Sequence, residues 1–245
     1  MSSKRIKVTP EIDAMIKNSI DDQGIDTAKL AVYEARILTT EPLNKGGFYN
    51  KASFTKATLD AMAATLNSKG GALGIQVMHD MNELPIGKIF SGLVREMDNG
   101  NFELLSMFYV LDSNTDLIAK LDSSIIDEVS VGVLPAKALC SECGFDYFGE
   151  EADFTNLYTL TCNEDHEIGV NNVHVVASGL QSFMEVSLVS KGAAKNPKIL
   201  SRAKQSLSQD NAMQIAASGA PLEARLFTMN HKFNNAKLNL SLIHI

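Results

Sequence analysis

The segment Glu128–Val133 has the sequence EVSVGV, in which valines and a glycine surround one serine, Ser130. Valine-rich runs of this length are typical of buried β-strands. We therefore expect a strand over Ile126–Leu134 with Ser130 in its middle. Two other segments combine one chemically capable side chain with an apolar, β-branched run: VMHDMNELPIGKI at Val77–Ile89, which contains His79, and FMEVSLVSKG at Phe183–Gly192, which contains Glu185.

Patterning elsewhere predicts an α+β chain, with more strands and short helices between them. Apolar runs predict strands at Ala31–Leu38, Leu73–His79, Ile86–Glu96, Phe102–Leu111, Val173–Val176 and Phe183–Val189. The sequence DNGN at Asp98–Asn101 is a strong hairpin signal. Helical spacing predicts helices at Ser53–Leu66, with Ser53 as the N-cap, at Asn114–Ser123, at Ile199–Ser206 and at Asn211–Ala217.

The composition is that of a globular protein, and the length allows one large domain or one domain with appendages. The chain has 245 residues, of which 45% are hydrophobic and 21% charged, and its net charge is −7. We interpret residues 1–30 as an N-terminal helical arm, residues 31–197 as the main domain and residues 198–245 as a helical or flexible tail.

An acidic chain is not expected to bind nucleic acid directly. No apolar run approaches the roughly 18 residues of a membrane span, and the polar N-terminus has no signal peptide, so no membrane partner is expected.

All three cysteines of the chain lie in one short segment that ends in a histidine, the set being Cys140, Cys143, Cys162 and His166. A Cys-x2-Cys turn supplies two sulfur ligands, and the later cysteine and histidine would complete the tetrahedron that Zn²⁺ prefers. Four protein ligands leave no open position, so we expect a structural Zn²⁺ in a zinc-ribbon-like insertion at residues 137–170. His174 is a less favoured fourth ligand, because it lies in a strand-like run. The alternative is three buried thiols beside a surface histidine.

A histidine, a serine and a carboxylate are the parts of a nucleophilic hydrolase. His79, Ser130 and Glu185 are each more than fifty residues apart along the chain, so only the fold could bring them together. Taken singly, each has an ordinary explanation: a solvated histidine, a packed strand serine and a surface glutamate. Asp80 is a rival partner for His79, but adjacent residues of an extended chain point to opposite faces, so we rank it below Glu185.

The three segments also resemble, in order, the signatures of one enzyme family. His79 followed by Leu84–Ile89, LPIGKI, is similar to the histidine region of the phage prohead maturation proteases, and Val129–Gly132 resembles their nucleophile strand. Glu185–Val189 followed by Ala193–Pro197, AAKNP, resembles their third signature. The resemblance covers about residues 31–197. It extends to the herpesvirus assemblin proteases, in which a second histidine stands where this chain has Glu185.

This resemblance implies both a fold and a set of roles. The fold would be α+β, an assemblin-like and mainly antiparallel β-barrel flanked by helices, with the zinc-ribbon-like segment inserted into it. Ser130 would be the nucleophile, His79 the general base and acid, and Glu185 the group that orients His79. The assemblin proteases place arginines shortly after their third catalytic strand, where this chain has only Lys191, beside Gly192, and Lys195.

The resemblance further implies a serine endopeptidase that processes phage scaffold and major capsid proteins, and itself, during prohead maturation. Its location would be the host cytoplasm and the prohead interior, and its assembly a homodimer or a higher oligomer. One alternative is a catalytically inactive structural or scaffold protein of the prohead, in which the three residues would not converge. Another is a nucleic-acid-binding zinc module, which is disfavoured because residues 140–166 contain seven acidic residues and no lysine or arginine.

Overall fold

The computed structural model describes residues 4–200 together with the pair Ile243–His244. The helix predicted at Asn211–Ala217, most of the helix predicted at Ile199–Ser206 and most of the predicted tail therefore lie outside the described residues. The first two residues of the Ile199–Ser206 helix are described, and they are extended. Ile199 forms a bridge with Ala35, and the Leu200 N–H donates to the Glu34 carbonyl.

The described residues form four α-helices and eleven strands. The helices are α1 (Pro10–Ile20), α2 (Lys56–Asn67), α3 (Thr115–Asp122) and α4 (Phe154–Thr159). The strands are β1 (Leu30–Thr39), β2 (Ser53–Phe54), β3 (Leu73–Val77), β4 (Gly87–Ile89), β5 (Leu93–Glu96), β6 (Phe102–Leu111), β7 (Glu128–Leu134), β8 (Lys137–Cys140), β9 (Val175–Ser178), β10 (Ser182–Val189) and β11 (Ile243–His244). The predicted α+β class is confirmed, as are the predicted strands now seen as β1, β6, β7 and β10.

The larger sheet is mixed and curls into a half-barrel flanked by helices. Its strand order is β1-β6-β4-β3-β10-β7-β11, with β5 also paired to β6. Its pairs are antiparallel except β3 with β10, which is parallel. The segment Pro197–Leu200 connects β7 with β1. The Val129 N–H of β7 donates to the Pro197 carbonyl, and the Arg36 N–H of β1 donates to the Lys198 carbonyl.

Helices cover the sheet with regularly spaced apolar residues. On α1, Ile12 and Ile16 lie one turn apart and pack against Val32, Phe90 and Tyr109. Fully burying one such side chain stabilises the fold by about 1.5 to 3 kcal/mol, so the N-terminal helix is held on the sheet. None of the helices within residues 4–200 is long and apolar enough to cross a membrane.

The predicted helix start at Ser53 is wrong. The helix begins at Lys56 with Thr55 as its N-cap, whose hydroxyl accepts from the Thr58 N–H. Ser53 instead belongs to β2, where it pairs with Val176 of β9. Strand pairing at this point overrides the local capping preference of serine.

The single strand predicted at Ile86–Glu96 is also wrong, because it is divided into β4 and β5. The break contains Gly92, which lies against α2: a Cβ at this position would come within 2.6 Å of the Ala63 Cα atom. Asn67 of α2 fixes the break by bonding both the N–H and the carbonyl of Gly92. Close approach of a helix therefore interrupts the run.

A smaller sheet carries the cysteine-rich segment. Its strand order is β2-β9-β8, and residues 141–174 connect β8 to β9. Tyr147 is fully buried, with its ring in edge-on contact with those of Phe48 and Phe145. This aromatic cluster joins the segment to the main core.

Candidate functional site

Strands β7 and β10 place four residues on one face of the half-barrel. In their antiparallel register Ser130 lies opposite Ser187, and Gly132 lies opposite Glu185. Because side chains of a strand alternate between faces, residues 130 and 132 share a face, as do residues 185 and 187. Sequence alone predicted Ser130 and Glu185 as site residues but did not single out Gly132 and Ser187, which the two-residue spacing could have indicated.

Strand β3 brings His79 to this face from the other side of β10. It runs parallel to β10, with Val77 opposite Leu188 at its end. His79 Nε2 lies 2.8 Å from Ser130 Oγ, and His79 Nδ1 lies 2.7 Å from Glu185 Oε1. An ionised carboxylate can only accept, so Nδ1–H donates to Glu185 and Nε2 accepts the Ser130 hydroxyl proton. The structure thus places the three predicted residues in one continuous hydrogen-bonded chain.

The two ends of this hydrogen-bonded chain are buried, and its middle member is partly exposed. Glu185 is 1% exposed and Ser130 3% exposed, whereas the His79 side chain is 20% exposed. The Glu185 carboxylate bonds one ring nitrogen and so holds the other ring nitrogen facing Ser130. Such a ring can take a proton from a serine hydroxyl and later return it.

The turn that carries His79 has an uncommon backbone. The Asp80 N–H donates to the Val77 carbonyl at 3.0 Å, and the two central residues, Met78 and His79, have φ angles of 54° and 61°. Left-handed conformations cost a residue with a Cβ roughly 1 to 2 kcal/mol. Such backbone strain is found most often at functional sites, where the surroundings must hold it.

Strand β10 holds this turn with two hydrogen bonds. The Met78 N–H donates to the Leu188 carbonyl at 3.0 Å, and the His79 N–H donates to Ser187 Oγ at 3.1 Å. The Ser187 hydroxyl in turn donates to Glu185 Oε2 at 2.7 Å. Both oxygens of the Glu185 carboxylate are therefore bonded, one to His79 and one to Ser187.

A β-bulge aims Glu185. The pairing of β10 with β7 shifts by one residue between Phe183 and Glu185. Bulges reorient side chains and are frequent beside active sites. Here the irregularity lies immediately before the residue that bonds His79, and it allows the Glu185 side chain to lie across Gly132.

The other candidates, Asp80 as partner of His79 and Gly192 as part of the oxyanion hole, form different hydrogen bonds. The carboxylate of Asp80 accepts from the backbone N–H of Asn82 at 2.9 Å, within its own turn. The Gly192 N–H donates to the Glu128 carboxylate at 2.8 Å, so it is not available as an oxyanion donor in this structure. The described hydrogen bond of Ser130 Oγ is to His79, and none joins it to Lys191 or Lys195.

The second predicted site also assembles. The ligand atoms of Cys140, Cys143, Cys162 and His166 all lie within 4.8 Å of one another. The separations are 3.6 Å for Cys143 Sγ to Cys162 Sγ and 3.4 Å for Cys162 Sγ to His166 Nδ1. Metal bonds of about 2.3 Å to sulfur and about 2.0 Å to nitrogen, at tetrahedral angles, give ligand separations of about 3.5 to 3.8 Å. The four side chains therefore fit a tetrahedral metal ion.

The pKa values of two of the thiols depart from the usual value in opposite directions. Although Cys143 is exposed as a residue, desolvation of its sulfur beside the two other thiols raises its pKa to about 11. Burial disfavours the Cys162 thiolate, but hydrogen bonds from the N–H groups of Glu164 and His166 outweigh it and lower the Cys162 pKa. A bound cation would stabilise all three thiolates at once. His174, the less favoured ligand, bonds the Asn172 carbonyl instead.

Comparison with known proteins identifies no relative of this chain. No protein-family model, no curated protein and no solved structure matches it. The chemistry of the site has to be inferred from its own residues: a serine hydroxyl, an imidazole bonded to it, and a carboxylate bonded to the far side of the imidazole.

Proposed function

We propose that this chain is a serine endopeptidase with a Ser130–His79–Glu185 triad. The observation that carries the proposal is the hydrogen-bonded chain from Ser130 through His79 to Glu185, with links of 2.8 Å and 2.7 Å. Its members come from three different parts of the sequence and meet on one face of the half-barrel. A structural protein without activity has no need for this convergence.

In the proposed reaction, Ser130 Oγ attacks the scissile carbonyl carbon while His79 Nε2 takes the hydroxyl proton. Glu185 stabilises the resulting imidazolium through the Nδ1–H bond. The tetrahedral intermediate collapses, the C–N bond breaks, and His79 gives its proton to the departing amine. Water then attacks the acyl-enzyme with His79 again as base, which releases the acid and restores Ser130.

A polypeptide substrate is favoured by the strand that carries the nucleophile. The edge of β7 opposite β10 forms an antiparallel pair with β11, in which Ile243 lies opposite Val133 and His244 opposite Gly132. That edge can therefore hold an extended chain within two residues of Ser130. Strand addition of this kind is a common mode of peptide recognition.

The proposed biological role is phage prohead maturation, with scaffold and major capsid proteins as the substrates. It is supported by the three signature segments around His79, Ser130 and Glu185, which occur in the order of the prohead proteases. In that role the enzyme acts as a homodimer or higher assembly, in the host cytoplasm and inside the prohead. The assemblin-like identity of the half-barrel is part of the same proposal.

We also propose that the Cys₃His set holds Zn²⁺ in a structural role. Three thiolates and one imidazole are a preferred ligand set of zinc, and four protein ligands leave no position for substrate. The ion would fix the connection between β8 and β9. With four protein ligands it would take no part in the peptidase reaction.

Two experiments test the protease proposal. A fluorophosphonate probe should label the purified full chain at Ser130, and Ser130→Ala should abolish labelling whereas Ser106→Ala, at another buried serine, should not. Co-expression with a phage major capsid protein and its scaffold should give shortened products with wild type and none with Ser130→Ala. Cleavage by the Ser130→Ala variant would show that the nucleophile is another residue. Labelling without capsid cleavage would leave a serine hydrolase and refute the prohead role.

A further inference from the structure

We propose that Ser187 is a positioning residue, which locks His79 and Glu185 in their catalytic arrangement. This inference deepens the proposed function and rests on it. Ser187 lies opposite Ser130 in the strand pairing and is fully buried, at 0% exposure. It does not touch Ser130 in any described hydrogen bond, so its action would pass through the other two members of the triad.

The Ser187 hydroxyl uses both of its hydrogen-bonding capacities within the site. Its proton goes to Glu185 Oε2, at 2.7 Å, and its lone pair accepts the His79 N–H, at 3.1 Å. A terminal carboxylate torsion is broad and easily turned. With Oε1 bonded to the His79 ring and Oε2 bonded to Ser187, the carboxylate plane is fixed at both ends.

The same hydroxyl secures the backbone of the base. His79 is left-handed, with a φ of 61°, and this strained conformation must be held by its surroundings. Removing the hydroxyl would leave the His79 N–H without this acceptor, while the Met78 bond to Leu188 would remain. We expect β3 and β10 to stay paired, while the imidazole and the Glu185 carboxylate become mobile.

Ser106 is a control that distinguishes a positioning role of Ser187 from a contribution to packing. Ser106 on β6 is 2% exposed, close to the burial of Ser187, but its hydroxyl has no hydrogen-bond partner among the described residues. Ser106→Ala removes the same atom from an equally buried strand position without touching the triad. Loss of buried side-chain volume alone would affect both variants alike, whereas only Ser187→Ala also removes the bonds to His79 and Glu185.

The test compares wild type, Ser187→Ala and Ser106→Ala as purified full-length chains. On a peptide substrate, Ser187→Ala should lower kcat by about 10- to 100-fold with KM within about twofold, because hydrogen bonds to a charged group are worth about that factor. Ser106→Ala should stay within about twofold in both constants. In ¹⁵N-histidine-labelled protein, the downfield Nδ1 proton signal of His79 should broaden or move upfield in Ser187→Ala only.

The kinetic and the NMR measurements can each contradict the positioning role of Ser187. A kcat for Ser187→Ala close to that of Ser106→Ala, or an unchanged His79 proton signal, would overturn it. If Ser187→Ala unfolds, Ser187→Cys keeps the side-chain size with a weaker donor and takes its place in both measurements. Failure of the wild type to label or cleave would refute the proposed protease itself, whereas the proton signal tests the Ser187 bond in either case.

Discussion

Gly132 and Glu185 lie opposite each other in the pairing of β7 with β10, and the Glu185 carboxylate occupies the space of the missing side chain at position 132. A Cβ on Gly132 would lie 2.6 Å from Glu185 Oε1, the oxygen that bonds His79. The backbone of Gly132 is not in the left-handed region. The glycine is therefore required for close approach, and it permits the carboxylate to lie flat against the neighbouring strand.

Gly132→Ala should therefore reduce activity without unfolding the protein. The added methyl would displace the carboxylate and turn His79 away from Ser130, and a displacement of about 1 Å can cost about 100-fold in rate. We expect kcat/KM for a peptide to fall by at least about 50-fold. Gly46→Ala is the matched control, because a Cβ there meets nothing within 4 Å. Equal activity of the two variants would contradict the described packing.

Replacing Glu185 should be far more damaging than replacing Asp80. Glu185→Gln keeps the size of the side chain but removes the charge that stabilises the imidazolium, and it can favour the wrong tautomer of His79. We expect kcat to fall by about 10³- to 10⁴-fold, as for other triads that lose their carboxylate. Asp80→Asn should stay within about threefold, since its carboxylate bonds Asn82. Steady-state kinetics of the two variants decide between the partners, and a larger loss in Asp80→Asn would reverse the assignment.

The sequence was enough to identify the site residues that the residue pattern of their own segment reveals. Ser130 lies in a valine-rich strand and Glu185 in another, and strand patterning with the family resemblance was enough to name both with His79. The clustering of Cys140, Cys143, Cys162 and His166 was predicted in full, because two cysteines in one turn and a later cysteine and histidine are a local chemical signature. Strand β6 matches its prediction at both ends, although its run of apolar residues is interrupted by Glu103 and Ser106.

Other features depend on which strands become neighbours. Ser187 and Gly132 gain their positions only from the register of β7 and β10, which their own segments do not reveal. The parallel pairing of β3 with β10 joins residues more than 100 positions apart, Ile75 with Val186. The division of the predicted strand at Gly92 likewise arises from contact with α2. In each case the deciding interaction is distant in sequence, so local preference could not predict it.

A buried ion-pair cluster should dominate the stability of the strand pairs at the β1–β6–β5 end of the sheet. Glu103 on β6 is 2% exposed and bonds Arg36 Nε at 2.5 Å and Arg95 Nε at 2.8 Å. Glu103→Gln would leave both guanidinium groups without their charge partner. We expect the free energy of unfolding to fall by about 1.5 to 3 kcal/mol, which thermal or urea unfolding would measure.

The control for this prediction is an exposed ion pair. Lys56 and Asp60 lie one helical turn apart with about half of each side chain exposed, 49% and 48%. Such pairs contribute about 0.3 to 0.5 kcal/mol. Asp60→Asn should therefore change the free energy of unfolding by less than about 0.5 kcal/mol, and similar losses in both variants would show that the burial of Glu103 does not strengthen its ion pairs.

Replacing His166 and replacing His174 should have opposite effects on the zinc content of the Cys₃His cluster. Purified wild-type protein should contain about one zinc per chain, and His166→Ala should lower this content well below one, because His166 Nδ1 lies 3.4 Å from Cys162 Sγ. His174→Ala should keep the metal, since its ring bonds the Asn172 carbonyl. Loss of a structural ion should also lower the melting temperature of His166→Ala by about 5 °C or more. Elemental analysis with thermal unfolding measures both, and equal zinc content in the two variants would show that His166 is not a ligand.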